Sequence, residues 1–488
     1  MTVDTMSILE YGYGDFLNFT KDTMGLTDKT TAILSKLKSI ETLKRLCIDA
    51  DCHIDVQNDI SILSEPVQAG VLCIPNSFAI HPMEGADGNT DGTPSPLTFR
   101  RYQRFAAGGA GLIWVEAIAV VPEGRSNSHQ LWIHKENKKA FSELIYLIRR
   151  TANDSIGSKH RPVMVAQLTH SGRYSRPKDC PEPMILQSDP YRDALCPMPV
   201  PAANYASALP PDKTVLVDDE YLDNLQWKYI EAAKLAFDAG FDAVDIKACH
   251  GYLISELLSS RCRQGKYGTT FENRSRFLLE VIDKIHQNLG ADCPISCRLG
   301  FYDAIPYPYG WGVSHDDFSK ADLDEPKKLM GLLVQRGVRL FNFTIGNPYL
   351  NPHLGRPFNR SATDGYISPE HPLKGVERMI TLAGELQKCY PDAVFVGTGY
   401  SWLGPMMGYA GAAAKALGKS KMIGVGRMAF AYPDFAKDLL NKGTLEENKV
   451  CIACSGCSQL LRRGLPTGCI IRDSSFYGKE KKSKSPTS

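Results

Sequence analysis

Three side chains that can donate or exchange protons, Lys247, His250 and Tyr252, fall within six residues of one another. They follow residues 241–247, where apolar and polar residues alternate as they do in a β-strand. In α/β folds the loops that follow strands carry most of the chemistry. We therefore interpret the three residues as a candidate catalytic group. The competing interpretation is that His250 and Tyr252 only pack within a loop or hydrogen-bond to it.

Short apolar segments separated by longer helical patterns must position this group. Candidate strands cover residues 71–80, 111–115, 163–167, 243–247, 295–298, 340–344, 393–397 and 421–425. Alternation of strands and helices predicts the α/β class, and eight strands favour a closed parallel (β/α)8 barrel. An open doubly wound sheet is the alternative.

Polar residues end several of these strands. Gln167, Lys247 and Arg298 each close a segment that is otherwise rich in apolar residues. Gln167 and Arg298 would present hydrogen-bond donors at the barrel mouth, which suits a planar, partly anionic heterocycle with carbonyl oxygens. The alternative for either residue alone is that it is a polar core residue whose hydrogen bonds are made within the protein.

Glycines end the seventh and eighth strands. Gly397 and Gly399 follow one, and Gly426 with Arg427 follows the other. Glycines let backbone N–H groups approach a phosphate, and barrels commonly bind phosphate at these two loops. The pattern predicts a phosphate site, although turns alone would also use glycine.

Four of the fourteen cysteines are clustered near the C-terminus, namely Cys451, Cys454, Cys457 and Cys469. In a reducing compartment such a cluster indicates a bound metal centre more than a structural or redox-sensing group. Three closely spaced cysteines followed by a distant fourth are more typical of iron–sulfur ligation than of zinc ribbons.

The composition of the chain limits the classes of partner that it can be expected to bind. The chain has 488 residues, 43% hydrophobic and 23% charged, with a net charge of +2. This balance gives no general attraction for nucleic acid or anionic membranes. No apolar run reaches transmembrane length and the N-terminus lacks a signal-type core, so we expect a cytoplasmic protein. We predict an N-terminal helical extension (1–62), a barrel (63–445), a cysteine-rich iron–sulfur segment (446–472) and a disordered basic tail (473–488).

Several longer motifs resemble the Old Yellow Enzyme family of FMN-dependent NAD(P)H:flavin oxidoreductases. Residues 74–83, 107–125 and 167–173 are similar to its first three strand motifs, and residues 250–253, 267–274 and 426–427 complete the match. The resemblance implies a TIM barrel that binds FMN. It further implies that Pro82 and Met83 cradle the flavin and that Ala117 lies at its edge. Gln167 would contact the pyrimidine ring.

The cysteine segment narrows the resemblance to one branch of the family. It is similar to the [4Fe–4S] ligands of the 2,4-dienoyl-CoA reductase and 2-enoate reductase branch. Those relatives continue into dinucleotide-binding domains, whereas this sequence ends shortly after Cys469. We therefore expect electrons from NAD(P)H directly, from a ferredoxin or from a separate reductase.

Three departures distinguish this chain from the family pattern. Lys247 stands where the family has the first His of a His-x-x-His or His-x-x-Asn pair, and Glu84 stands where Thr or Cys often borders the flavin. Only two residues separate Cys454 from Cys457, where the branch usually has three, which leaves the cluster type open.

The resemblance implies reduction of an activated C=C bond in an enone, enoate or enoyl thioester, with a steroid enone among the candidates. His250 and Lys247 would hold the substrate oxygen, Tyr252 would supply a proton and Arg298 would stabilise reduced FMN. Two other hypotheses remain: an aldolase-like barrel that forms a Schiff base on Lys247, and a non-catalytic electron-transfer subunit.

Overall fold

Eight parallel strands form a closed barrel. The computed structural model describes residues 37–194, 213–362 and 366–478. Each barrel strand pairs with the next along the chain, and the eighth pairs with the first. The strands are β1 Phe78–Ile80, β2 Leu112–Ala119, β3 Val163–Thr169, β4 Ala243–Ala248, β5 Ile295–Gly300, β6 Leu340–Thr344, β7 Val394–Gly397 and β8 Met422–Val425. The predicted (β/α)8 TIM barrel is therefore confirmed, and the open sheet is not.

A helix follows each strand and covers the outside of the barrel. These helices are α1 Pro96–Ala107, α2 Lys138–Ile156, α3 Asp219–Ala239, α4 Phe271–Leu289, α5 Asp324–Gln335, α6 Pro372–Cys389, α7 Met407–Ala416 and α8 Phe435–Lys442. Local sequence sets their ends. The Asp218 side chain accepts a hydrogen bond from Tyr221 N at the start of α3, and Gly240, with φ of 100°, ends it in the left-handed conformation.

Shorter elements decorate this barrel. Helices cover Ile40–Asp49, Pro190–Ala194, Leu253–Ser259, Pro352–Gly355, Arg427–Ala431, Gly456–Arg462 and Ser474–Tyr477. Two further strands, Met184–Ile185 and Val215–Leu216, pair in parallel outside the barrel. Among the described residues, no helix is both long enough and apolar enough to cross a bilayer.

The strand predicted over residues 71–80 is in fact two strands. Leu72–Ile74 pairs antiparallel with Val67–Ala69, and β1 begins only at Phe78. Pro75 has no N–H to donate to a ladder, and the Asn76 side chain accepts from Phe78 N, so the chain turns between the two strands. The hairpin packs against Trp114 and the other apolar residues that fill the barrel interior.

The barrel interior changes character from bottom to top. Its lower layer is apolar and includes Leu112, Val163 and Leu340. Further along the same strands, the buried residues are polar and include Gln167 and Asp245. The apolar layer supports the fold, and the polar layer lies at the carboxyl ends of the strands, where barrel active sites are found.

The N-terminal extension is described only in part. Of the helical extension predicted over residues 1–62, residues 1–36 lie outside the described residues. A helix covers Ile40–Asp49, and the Ser39 side chain caps it by accepting from Thr42 N. Leu43 and Cys47 are buried against the barrel.

The C-terminal segment is docked onto the barrel. Asp473 forms an ion pair with Arg100 at 2.8 Å and a second with Arg104, both on α1. The Arg100 guanidinium carbon lies 3.5 Å from the centre of the Phe476 ring. Residues 473–478, assigned above to a disordered tail, are therefore held in place by a buried carboxylate. Residues 479–488 lie outside the described residues.

A buried ionic network joins α1 to the strand ends. Arg101 contacts the carboxylates of Asp87 and Glu116, and Glu116 accepts a hydrogen bond from Gly85 N. The Arg101 side chain is 2% exposed, and both carboxylates are 1% exposed. This network fixes the loop that follows β1, which carries Glu84.

We expect Arg101→Met to lower the free energy of unfolding by about 3–5 kcal/mol, because it leaves two buried carboxylates without a cation. Urea denaturation measures the loss. The control is Arg149→Met, which removes a partly exposed pair with Asp242 and should change the free energy by about 1 kcal/mol or less. Equal losses in both variants would contradict the assigned role of the network.

Candidate active site

One cavity of about 320 Å³ opens at the carboxyl ends of the barrel strands. Loops after most of the strands contribute to its wall. All but one of the sequence-predicted organic-ligand and catalytic residues line it, namely Pro82, Met83, Ala117, Gln167, Lys247, His250, Tyr252, Arg298, Gly399, Gly426 and Arg427. Tertiary structure thus brings together residues that are up to several hundred positions apart in the chain.

The exception is Gly397. It is the last residue of β7, and the next two residues, Thr398 and Gly399, line the cavity instead. A Cβ atom on Gly397 would lie 3.0 Å from Ser420 Oγ, so this glycine serves packing between neighbouring strands. Gly399 has φ of 98°, which favours glycine at the position that does face the cavity.

Lys247, His250 and Tyr252 converge at the end of β4. The Lys247 ammonium lies 3.5 Å from the centre of the Tyr252 ring. His250 has a positive φ of 66°, and its Nε2 lies 3.3 Å from Thr344 Oγ1 at the end of β6. The Tyr252 hydroxyl lies 3.2 Å from the hydroxyl of Tyr349. These side chains form one side of the cavity.

Burial sets the protonation states of this group. It lowers the pKa of Lys247 to about 8, against the opposing effect of nearby Glu84. Burial also holds the pKa of His250 well below its usual range, so the imidazole is neutral. The pKa of Tyr252 is raised well above its ordinary value by burial, with Tyr349 and Glu84 adding to the effect. The site therefore holds a cation, a neutral imidazole and a protonated phenol near pH 7.

A second polar group lies across β3, β4 and β5. Asp245 accepts from Gln167 Nε2 at 2.6 Å and from Ser296 Oγ at 2.8 Å. Because the Gln167 amide nitrogen faces this carboxylate, its carbonyl oxygen is left to accept from a ligand. Arg298 Nη1 donates to Pro82 O at 3.2 Å, while its buried Nε has no partner among the described residues. Donors and acceptors thus surround the centre of the mouth.

Glu84 faces the same cavity with partners that sequence reasoning did not identify. Its Oε1 accepts from Asn127 Nδ2 at 2.8 Å and from the Ser126 hydroxyl. Burial raises the pKa of Glu84, and nearby Lys247 opposes that shift. Lys247 and Glu84, two positions where this chain departs from the family pattern, therefore interact electrostatically.

Arg427 and Arg356 form a cationic corner beside Gly399 and Gly426. Arg427 Nη2 donates to Pro357 O at 2.6 Å, and Arg356 contacts the Ser458 hydroxyl. Within the described ranges, the buried Nη1 of Arg427 and the buried Nε and Nη2 of Arg356 have no hydrogen-bond partner. Mutual repulsion and burial lower the pKa of Arg356 to about 9, with burial the larger cause. Such a corner requires an anion.

Arg356 was missed because its loop carries no periodic signal. It lies in the loop between β6 and α6, where Pro348, Pro352 and Pro357 break any pattern. The available signal was the rule already applied to other strands, that polar residues after a strand face the mouth.

The four clustered cysteines surround a second, smaller cavity. Cys451, Cys454, Cys457 and Cys469 all line it, and Arg427 lines both cavities. No three His, Cys, Asp or Glu side chains of the described residues are grouped so as to hold a metal ion. The iron–sulfur prediction is therefore not supported by a metal-site geometry, and it continues to rest on the donor set and its spacing.

The closed parallel barrel carries donors and acceptors at the centre of its mouth and a cationic corner beside β7 and β8. This arrangement suits a planar ligand that carries a phosphate. Residues 62–308 match the model of the NADH:flavin oxidoreductase / NADH oxidase family. The chain belongs to this family, and the resemblance noted in its sequence is confirmed.

The names of two curated relatives are consistent with this family. An NADH oxidase of Thermoanaerobacter brockii is 27% identical over 396 residues, covering 80% of this chain and 52% of the relative. An NADPH dehydrogenase of Geobacillus thermodenitrificans is 31% identical over 250 residues, covering 50% of this chain and 65% of the relative. This chain therefore spans less than two thirds of the length of either relative.

Solved structures share the fold. A 2-naphthoyl-CoA reductase in complex with 2-naphthoyl-CoA superposes with a TM-score of 0.63 at 20% identity, covering 85% of this chain and 57% of the other. The old yellow enzyme homologue from Zymomonas mobilis superposes with a TM-score of 0.56 at 21% identity, covering 79% of this chain and 94% of the other.

The residues of the mouth fit FMN, the family's cofactor. Gln167 and the buried Arg298 Nε offer an acceptor and a donor for its ring, and the unpartnered nitrogens of Arg427 and Arg356 suit its phosphate. A Cβ atom on Gly426 would lie 3.2 Å from Sδ of Met83, so a side chain at this position would press on another residue of the cavity wall.

We expect Arg427→Met to weaken FMN binding by roughly 10–100-fold, because a hydrogen bond to a charged group contributes about 1.5–3 kcal/mol. Fluorescence titration of the apoprotein measures the affinity. Riboflavin, which lacks the phosphate, should bind the variant and the wild type equally. Arg336→Met, in a partly exposed pair with Asp283, serves as the control. Equal weakening for riboflavin would contradict a phosphate role for Arg427.

Proposed function

We propose that this chain is a flavin-dependent ene-reductase that reduces the activated C=C bond of an α,β-unsaturated carbonyl compound. The observation that carries the proposal is the convergence, around one cavity, of ring-binding, anion-binding and proton-donating side chains. Gln167 and Arg298 serve the first role and Arg427 with Arg356 the second. Tyr252 serves the third, and Lys247 with His250 would bind the oxyanion that forms on the substrate.

Bound FMN, once reduced, supplies a hydride to the β-carbon of the substrate. As the hydride arrives, negative charge develops on the carbonyl oxygen. The Lys247 ammonium and the neutral His250 imidazole donate to that oxygen, and each such donor contributes roughly 3–4 kcal/mol in a site that excludes water. Arg298 carries a fixed positive charge beside the flavin ring and favours its anionic reduced form.

Tyr252 supplies the proton that completes the reduction. Tyr252 is 5% exposed, and its hydroxyl is protonated over the physiological range, because burial raises its pKa well above the ordinary value. A phenol held in this way suits proton donation to the α-carbon. The neighbouring Lys247 ammonium stabilises the phenolate that remains.

We further propose that Cys451, Cys454, Cys457 and Cys469 bind a [4Fe–4S] cluster that passes single electrons to the flavin. The support is the four-thiolate donor set and the position of Arg427 and Cys457 between the two cavities. NAD(P)H, a ferredoxin or a separate reductase supplies the electrons. We place the reaction in the cytoplasm, where such thiols stay reduced.

The substrate class follows from the wall of the cavity. Apart from the arginines assigned to the flavin and Arg173, which is ion-paired with Asp193 and Glu256, its charged lining residues comprise one acid, Glu84, and the cationic Lys247, Arg176 and Arg462. Enoates and enoyl thioesters carry negative charge, whereas enones such as steroids do not. The excess of cations favours the anionic substrates.

Lys247 also keeps a second candidate function open. A lysine whose pKa is lowered to about 8 by burial has a substantial neutral fraction and can act as a Schiff-base nucleophile. A colourless protein that borohydride links covalently to a keto substrate would favour this aldolase-like function.

The first test is anaerobic. Purified protein should carry FMN and about four irons per chain, bleach with dithionite, and regain the flavin absorbance when 2-cyclohexenone is added. Tyr252→Phe should leave flavin content unchanged and slow reoxidation by roughly 10²–10⁴-fold. A colourless, iron-free protein would refute both cofactors. Unchanged turnover in Tyr252→Phe would favour the electron-transfer subunit.

We expect the rate of enone reduction to fall as pH rises through about 8, because the folded-state pKa of Lys247 lies there and the ammonium is lost above it. Stopped-flow reoxidation of the reduced flavin measures the pH profile. Lys247→Met should lower the rate by roughly 10²–10³-fold at pH 7 and remove this limb. Lys247→Arg, charged throughout, should also lack the limb. A limb that persists in Lys247→Arg would assign it to another group.

A further inference from the structure

Tyr349 lies beside the buried proton donor, and both tyrosines line the cavity. Its hydroxyl lies 3.2 Å from the Tyr252 hydroxyl, within hydrogen-bond distance. Tyr252 is 5% exposed, whereas Tyr349 is only partly buried. The Tyr252 hydroxyl therefore reaches the exterior through a neighbour that can both accept and donate a proton.

The position of Tyr349 is fixed by its own loop. The Asn347 side-chain oxygen accepts from Tyr349 N at 2.9 Å, and Asn347 N donates to Asn351 Oδ1 at 2.6 Å. The Tyr349 ring stacks on Tyr174 with centroids 3.7 Å apart and planes 17° apart. Asn347 Nδ2 also donates to the Tyr174 hydroxyl at 3.3 Å. Backbone and ring are thus held from two sides.

Gly251 makes room for this arrangement beside Tyr252. It has φ of 73°, and a Cβ atom there would lie 2.5 Å from Asn347 Nδ2 and 3.2 Å from Tyr174 Cε2. Only a residue without a side chain lets the β6 loop approach the β4 loop this closely. The contact between the two hydroxyls is therefore built by three loops.

We propose that Tyr349 is a catalytic proton relay that reprotonates Tyr252 after each reduction. The inference rests on the proposed ene-reductase function. It adds a residue to that reaction and gives a route by which a donor that is 5% exposed recovers its proton.

The steps balance. The electron pair of the hydride reduces the C=C bond and leaves the flavin oxidised. The O–H bond of Tyr252 breaks as the α-carbon–hydrogen bond forms, giving a phenolate beside the Lys247 ammonium. The Tyr349 O–H then breaks as Tyr252 regains its proton, and Tyr349 takes a proton from a solvent or buffer acid.

The test is Tyr349→Phe, which removes the hydroxyl and keeps the stacked ring. Stopped-flow reoxidation of pre-reduced enzyme by 2-cyclohexenone measures the first turnover, when Tyr252 still holds its proton. Steady-state turnover with reduced methyl viologen in excess measures repeated reprotonation. We expect the first turnover to change less than about threefold and steady-state turnover to fall on the order of 10²-fold. Added imidazole, which is partly protonated near pH 7, should restore it with increasing concentration.

The matched control is Tyr366→Phe, in the same β6–α6 connection, whose hydroxyl contacts His353 and lies outside the cavity lining. It should match the wild type in both assays. Solvent deuterium should slow steady-state turnover more in Tyr349→Phe than in the wild type, a difference that loss of mere positioning would not give.

Two results would overturn the relay while the proposed function stands: unchanged steady-state turnover in Tyr349→Phe, or equal losses in both assays without rescue by small acids. The second would assign Tyr349 to positioning Tyr252. If the wild-type enzyme is not reoxidised by the enone or by an enoate, the ene-reductase function fails first and the relay fails with it.

Discussion

A buried carboxylate, Asp245, organises the polar layer at the top of the barrel. It accepts hydrogen bonds from Gln167 on one neighbouring strand and Ser296 on the other, and it lies close to the charges of Lys247 and Arg298. Burial raises the pKa of Asp245, and these partners oppose the shift. Without this acceptor, the buried Gln167 amide would lose its partner, and Lys247 and Arg298 would lose part of the negative charge that offsets their burial, which is costly in a low-dielectric interior. The mouth can therefore present donors to a ligand because its centre is already satisfied.

A chain of contacts couples the cysteine segment to the same mouth. Thr467 N donates to Gly85 O at 2.7 Å, and Gly85 N donates to Glu116 in the Arg101 network. Gly85 follows Glu84, which faces the cavity. Asp473, a few residues beyond Cys469, is clamped by two arginines of α1. The segment that carries the cysteines is thus held against the loop after β1, and a group bound by them would lie beside the flavin site.

Lys247 and Glu84 are best understood as a pair. Each replaces a residue that is neutral, or can be neutral, in the family pattern, and each shifts the protonation of the other toward the charged form. A single buried charge at either position would be poorly tolerated, whereas two opposite charges partly offset their burial. Glu84 thereby favours the charged form of Lys247 at the end of β4.

Local sequence was sufficient to determine the barrel and most of its mouth. The alternation of apolar and polar residues and the polar residues at strand ends are local properties of the sequence. Because a closed parallel barrel brings the carboxyl ends of all its strands to one rim, Gln167, Lys247 and Arg298 could be placed together from sequence. Only the tertiary structure revealed the hairpin of Val67–Ala69 and Leu72–Ile74 and the docking of Asp473 onto α1. It also showed that Thr398 lines the cavity where Gly397 was predicted to, and it revealed the positions of Arg356 and Tyr349. These depend on loop conformations fixed by contacts between residues far apart in the chain, which no local pattern encodes.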